Sequence, residues 1–106
     1  MYGIHEVCDA FDRALADYPD CHAEITNVNG LNDGVLVEED GRFRWYLAYN
    51  DGDTFMDCTM WHYFREWDEW DVWSEGLELD FTGYGSVDDA VEDFVCRIIC
   101  PEHRDA

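Results

Sequence analysis

Hydrophobic and polar positions change period several times along the chain, and each change predicts an element. Ile4, Val7, Cys8, Phe11, Ala14, Leu15 and Tyr18 recur at helical spacing and give an N-terminal helix one apolar face. Glu6, Asp9, Asp12 and Arg13 line its other side. Pro19 predicts the end of this helix, because a residue before proline is pushed out of the helical region. His22 to Val28 alternates weakly and predicts a short strand. Val35-Leu36-Val37, set between the turn dipeptides Asn29-Gly30 and Asp33-Gly34 and a further turn at Asp40-Gly41, predicts another.

The centre has the period of a strand. Phe43, Trp45, Leu47 and Tyr49 alternate with Arg42, Arg44, Tyr46 and Ala48. Asn50-Asp51-Gly52-Asp53 predicts a tight hairpin turn, since Asp-Gly tolerates the positive φ of a type I′ turn. On the return strand Met56, Cys58, Met60, His62 and Phe64 share one face. Phe55, Asp57, Thr59, Trp61 and Tyr63 share the other, and both faces are aromatic enough to be covered.

From Arg65 to Gly76 the period is lost. Trp67, Trp70 and Trp73 recur every three residues among Glu66, Asp68, Glu69, Asp71 and Glu75, so on a helix the apolar and acidic sets would overlap. A short helix, a bulged strand and a loop all fit this stretch. Leu77, Leu79 and Phe81 then alternate with Glu78, Asp80 and Thr82, a strand with an acidic outer face closed by Gly83 and Gly85. Ser86 caps the last helix, with Asp88 and Asp89 in the first turn, where the dipole favours anions. Its buried stripe is Val87, Ala90, Val91, Phe94, Val95, Ile98 and Ile99, its outer face Asp88, Asp89, Glu92 and Asp93, and Pro101 ends it. Together these elements predict an α+β fold: an N-terminal helix, an antiparallel sheet of four to five strands, and a C-terminal helix packed on one face. Residues 1–106 form a single domain, as expected for one core at this length.

Composition changes the picture through charge. The chain carries 26 acids against 6 bases, a formal charge of −20, and every base is arginine; lysine and glutamine are absent. Such a charge alone would favour disorder, but 47% hydrophobic and 16% aromatic residues supply ample core, so a folded acidic domain is expected. The same charge argues against direct binding to nucleic acid or to anionic membranes, both of which need Lys and Arg. No stretch approaches the ~18 apolar residues of a membrane span. The N-terminus lacks a secretory pattern, which points to the cytoplasm. Five cysteines, an odd number without C-x-x-C pairs, favour reduced thiols over a disulfide framework.

Candidate chemistry is sparse. Cys96, Cys100 and His103 have a spacing that zinc would accept, and Cys58 and His62 form a second pair. Cys58 and His62 lie on an apolar strand face beside Met56 and Met60. Cys96 and Cys100 lie beside the stripe of the last helix, where cysteine acts as a small hydrophobe. Packing is the better account of both sets, with a small zinc module as the least favoured reading and no metal or cofactor expected. Nucleophilic catalysis finds no motif: there are only two serines, Ser74 and Ser86, and acidic surroundings blunt thiols. Carboxylate pairs are too abundant to single out a glycosidase site. Asp51, Asp53 and Asp57 lack the Gly and Glu of a calcium loop, and Gly83-Tyr84-Gly85 lacks the rest of a phosphate loop. No catalytic residue is expected.

What remains is the distribution of acids. They are spread over each element's solvent face, in rows such as Glu6-Asp9-Asp12, Asp68-Asp71-Glu75, Glu78-Asp80 and Asp88-Glu92. Neighbours in such rows stand about 5–7 Å apart, a spacing that resembles a nucleic-acid backbone. A merely solvated surface, adaptation to molar salt with a protein-binding role, and nucleic-acid mimicry all fit an acidic chain. Absence of lysine suits salt adaptation; the heavy aromatic content suits mimicry better. In size, acidity and lack of catalytic motif the whole chain resembles the small acidic phage-encoded DNA mimics among anti-CRISPR and anti-restriction proteins. The resemblance is one of composition, so no residue roles carry over by position.

It implies a non-catalytic inhibitor that occupies the basic groove of a Cas effector or restriction enzyme in the host cytoplasm, in a class where some members are homodimers. The best partner-binding patch is Glu66, Asp68, Glu69, Asp71, Glu75, Glu78 and Asp80 with Trp67, Trp70 and Trp73, at least one of these tryptophans being expected in the core. Asp88, Asp89, Glu92 and Asp93 with Glu6, Asp9 and Asp12, on the outer faces of the helices, form the second.

Overall fold

A computed structural model of the chain describes residues 2–26, 33–39, 41–49 and 54–99. The expected turns at Asn29-Gly30 and Asn50-Asp51-Gly52-Asp53, with Val28, Asp40, Cys100, Pro101 and His103, lie outside the described residues.

The elements are α1 (Ile4–Ala14), β1 (Cys21–Thr26), β2 (Gly34–Glu39), β3 (Phe43–Ala48), β4 (Phe55–Phe64), β5 (Glu69–Asp80) and α2 (Val87–Phe94), the last continued by a π-helical segment, Val95–Ile99. The five strands form one antiparallel sheet in the order of the sequence. The architecture is therefore α+β, with both helices against one sheet face: α1 crosses β1 and β2, α2 touches β5, and the helices touch each other. No helix among the described residues is long and apolar enough to cross a membrane.

The amphipathic pattern of α1 buries Val7, Cys8, Ala10 and Phe11. The helix ends at Ala14, well short of Pro19. Leu15 still donates to the Phe11 carbonyl, but the next bonds, Ala16 to Arg13 and Tyr18 to Leu15, span three residues, the tightening typical of a last turn. Leu15 remains buried and Tyr18 half-buried although neither is helical. In α2 the Ser86 Oγ accepts the Asp89 N–H, as its position suggests. The stripe meets α1 through Phe11 and Phe94, which pack edge to face with centroids 6.1 Å apart. In the π-helical segment Val95 and Ile99 are buried, while Cys96, four residues after the exposed Glu92, faces outward. Cys96 is thus exposed instead of packed as a small hydrophobe.

Facing the helices are Val35, Val37, Phe43, Trp45, Leu47, Met56, Cys58, Met60 and Leu79, all buried and all on one sheet face by register. The opposite face of β4 is not covered by a second layer: Phe55, Thr59, Trp61 and Tyr63 are half-buried and Asp57 is exposed. Gly34, at the start of β2, is required by close approach, since a Cβ there would fall 2.5 Å from the Leu47 carbonyl and from the Tyr46 ring.

Candidate functional site

The stretch that defied a single period is a turn followed by a bulged strand. Residues 65–68 reverse the chain, and Asp68 takes a left-handed φ of 52°, which its short polar side chain tolerates. Its carboxylate accepts the Tyr63 hydroxyl, a bond that raises the pKa of the phenol. The twelve residues of β5 then face the ten of β4. Register moves from Val72 opposite Trp61 to Ser74 opposite Met60, so Trp73 is an extra residue. It moves again from Ser74 to Leu77 opposite Cys58, where Gly76 adopts a φ of 77°.

The acids and tryptophans of this segment are divided between the two sheet faces. On the helix-side face His62, Phe64, Trp67 and Trp73 form an aromatic cluster that continues outward from the buried Phe43. Phe64 lies 5.2 Å from Trp67 and 6.2 Å from Trp73, and His62 lies 4.9 Å from Trp73. Trp67 and Trp73 are 66% and 51% exposed, so neither is part of the core. Glu69 stands opposite Phe64 and Asp71 opposite His62, both exposed and both on this face.

On the open face Trp70 is half-buried, not by the core but under Arg44, whose guanidinium lies 4.0 Å from its ring centroid while Nε donates to Glu38 at 2.7 Å. None of the three tryptophans reaches the core; Trp45 does. Also on the open face, Glu78 stands directly opposite Asp57 and Asp80 opposite Phe55. Thr82 donates to the Asp80 carboxylate from Oγ1 and from its N–H, which together hold that carboxyl below its ordinary value. Glu66 and Glu75 are exposed, in the turn and in the second bulge respectively.

The helical acids divide differently. Glu6, Asp9, Asp12, Asp89 and Glu92 are exposed. Glu6 also accepts the Gly3 N–H at the helix start. Asp88 is engaged by Arg13 at 2.8 Å. Asp93 is held by Arg97 at 2.7 Å and by the Tyr84 hydroxyl, bonds that lower its pKa, Tyr84 contributing most. With Arg42–Glu39 and Arg44–Glu38, four of the five described arginines are committed to neighbouring carboxylates.

Sequence patterning did not single out Arg44, Phe43, His62 or Phe64 as part of this region. The alternation of β4 carried a signal for the last two, since it put His62 and Phe64 on one face. Of the four described cysteines, Cys8, Cys21 and Cys58 are buried and Cys96 is exposed, and burial pushes the Cys58 thiol up to about 12. Among the described residues no group of three or more His, Cys, Asp or Glu side chains is arranged to hold a metal. Comparison with known proteins gives no match: no family model, no curated protein and no solved structure resembles the chain.

Proposed function

We propose that the chain is a non-catalytic inhibitor that takes the place of nucleic acid in the basic groove of a nucleic-acid-binding protein. A Cas effector or a restriction enzyme is the kind of target meant. One observation carries this reading: exposed carboxylates lie on both helices and on both faces of the β4–β5 hairpin, those of the hairpin beside solvent-facing tryptophans, while the described arginines are largely spent on other acids. Repulsion among these acids costs folding energy. The acids would recover that cost by pairing with a cationic groove, where opposite potentials speed encounter and buried aromatic side chains slow release.

The test is nuclease inhibition by the wild-type chain and by a variant with Glu66, Glu69, Asp71 and Glu75 changed to Lys. Asp68 is left intact because it holds the turn. Stoichiometric inhibition by the wild type, weakened by salt and abolished in the variant with no fall in melting temperature, is expected. Equal inhibition by both proteins removes the assignment.

A further inference from the structure

The helix-side aromatic cluster has a more specific chemistry than its charge. Trp67 and Trp73 flank Phe64 and are 66% and 51% exposed, so much of their ring surface is open to solvent. Glu69 and Asp71 rise from the same sheet face, opposite Phe64 and His62, at the ~4.5–5.5 Å Cβ separation of cross-strand pairs. An apolar occupant would take these two charges out of water with no cation beside them, Asp71 keeping only the neutral Val72 N–H. A second copy of the chain would bring another −20 charges against them. Charge complementarity therefore selects a cation, and flat ring surface selects a flat one.

The molecule already contains this arrangement, filled by its own side chains. On the open face Arg44 stacks on Trp70 at 4.0 Å and bonds Glu38. Arg42 lies 5.1 Å over Phe43 and bonds Glu39. In both cases a guanidinium is held between a ring and a carboxylate, as its planar donor fork allows and a compact ammonium does not.

We infer that the Trp67–Phe64–Trp73 surface, with Glu69 and Asp71, captures arginine side chains of the partner by stacking, in preference to lysine. This rests on the proposed function only for the presence of a basic partner. Two probes of equal charge, octa-arginine and octa-lysine peptides, are titrated into the full chain at 0.15 M salt and followed by calorimetry. Octa-arginine should bind about fivefold more tightly, the scale of an exposed cation–π contact. Trp67→Ala, which removes a ring packed on Phe64, and the milder Trp73→Leu should each weaken octa-arginine about fivefold and leave octa-lysine within twofold of wild type. Equal affinity of the two peptides for the wild type, or equal losses of both in the variants, overturns the inference. No DNA enters this titration. An arginine preference without DNA competition at the partner would leave this site standing and remove mimicry, and the converse would remove this site alone.

Discussion

Glu78 offers a direct measure of what the acidic surface costs. It faces Asp57 across β4 and β5, and Asp80 follows two residues along the same face. Asp57 has Ala48 on its other side, so no base relieves the pair. At about 5 Å in water two like charges repel by ~0.8 kcal/mol, and a Debye length of ~8 Å at 0.15 M salt roughly halves this. Asp80, at about 7 Å, adds some ~0.2 kcal/mol after the same screening. Glu78→Gln should therefore stabilise the fold by ~0.5 kcal/mol. Glu78→Lys, which turns both repulsions into attractions, should stabilise it by ~1 kcal/mol, or about 4 °C in Tm for a chain of this length.

Thermal unfolding of the three proteins, followed by tryptophan fluorescence at 0.05, 0.15 and 1 M NaCl, checks the figure. The gain should be largest at the lowest salt and mostly gone at 1 M, where the Debye length is ~3 Å. A Glu78→Lys variant no more stable than wild type at 0.05 M, or a gain independent of salt, would refute the electrostatic reasoning.

Other consequences follow from packing and protonation. Gly34→Ala should cost about 1–3 kcal/mol in urea unfolding, because the added Cβ meets the Leu47 carbonyl and the Tyr46 ring at 2.5 Å and backbone cannot yield cheaply. In native protein an alkylating reagent should modify Cys96 and leave Cys58, buried and with its thiol pushed up to about 12, unmodified until urea unfolds the chain; peptide mass mapping reads both. Because Thr82 lowers the folded pKa of Asp80, its contribution is complete above the ordinary value of 3.8 and is lost as pH falls through the lower folded value. Thr82→Val should thus be less stable than wild type at pH 7, with the gap closing in unfolding curves taken below pH 3.8.

Those elements whose period stays constant could be read from sequence. Val7, Phe11, Val91 and Phe94 repeat at helical spacing and do bury where α1 and α2 meet. Phe43, Trp45 and Leu47 alternate and pair with His62, Met60 and Cys58 as two regular strands must. β5 resisted because two extra residues opposite β4, at Trp73 and between Ser74 and Leu77, interrupt its alternation in the middle and mask a strand that begins at Glu69. Alternation with Leu77 and Leu79 already sends Glu78 and Asp80 outward; that Glu69 and Asp71 belong to the same strand and lie on the helix side is given only by their pairing with Phe64 and His62. Arg44 over Trp70 was equally hidden, since the contact joins residues 26 positions apart across a neighbouring strand.

The central claim is that these acids stand in for nucleic acid. Its most direct test immobilises the wild-type chain and the Glu66, Glu69, Asp71, Glu75→Lys variant, applies purified Cas effectors and restriction enzymes at 0.15 M salt, and elutes with saturating duplex DNA. Under mimicry, an effector held by the wild type is released by DNA and is not held by the variant. Retention that DNA cannot displace, or equal retention by both proteins, would contradict it.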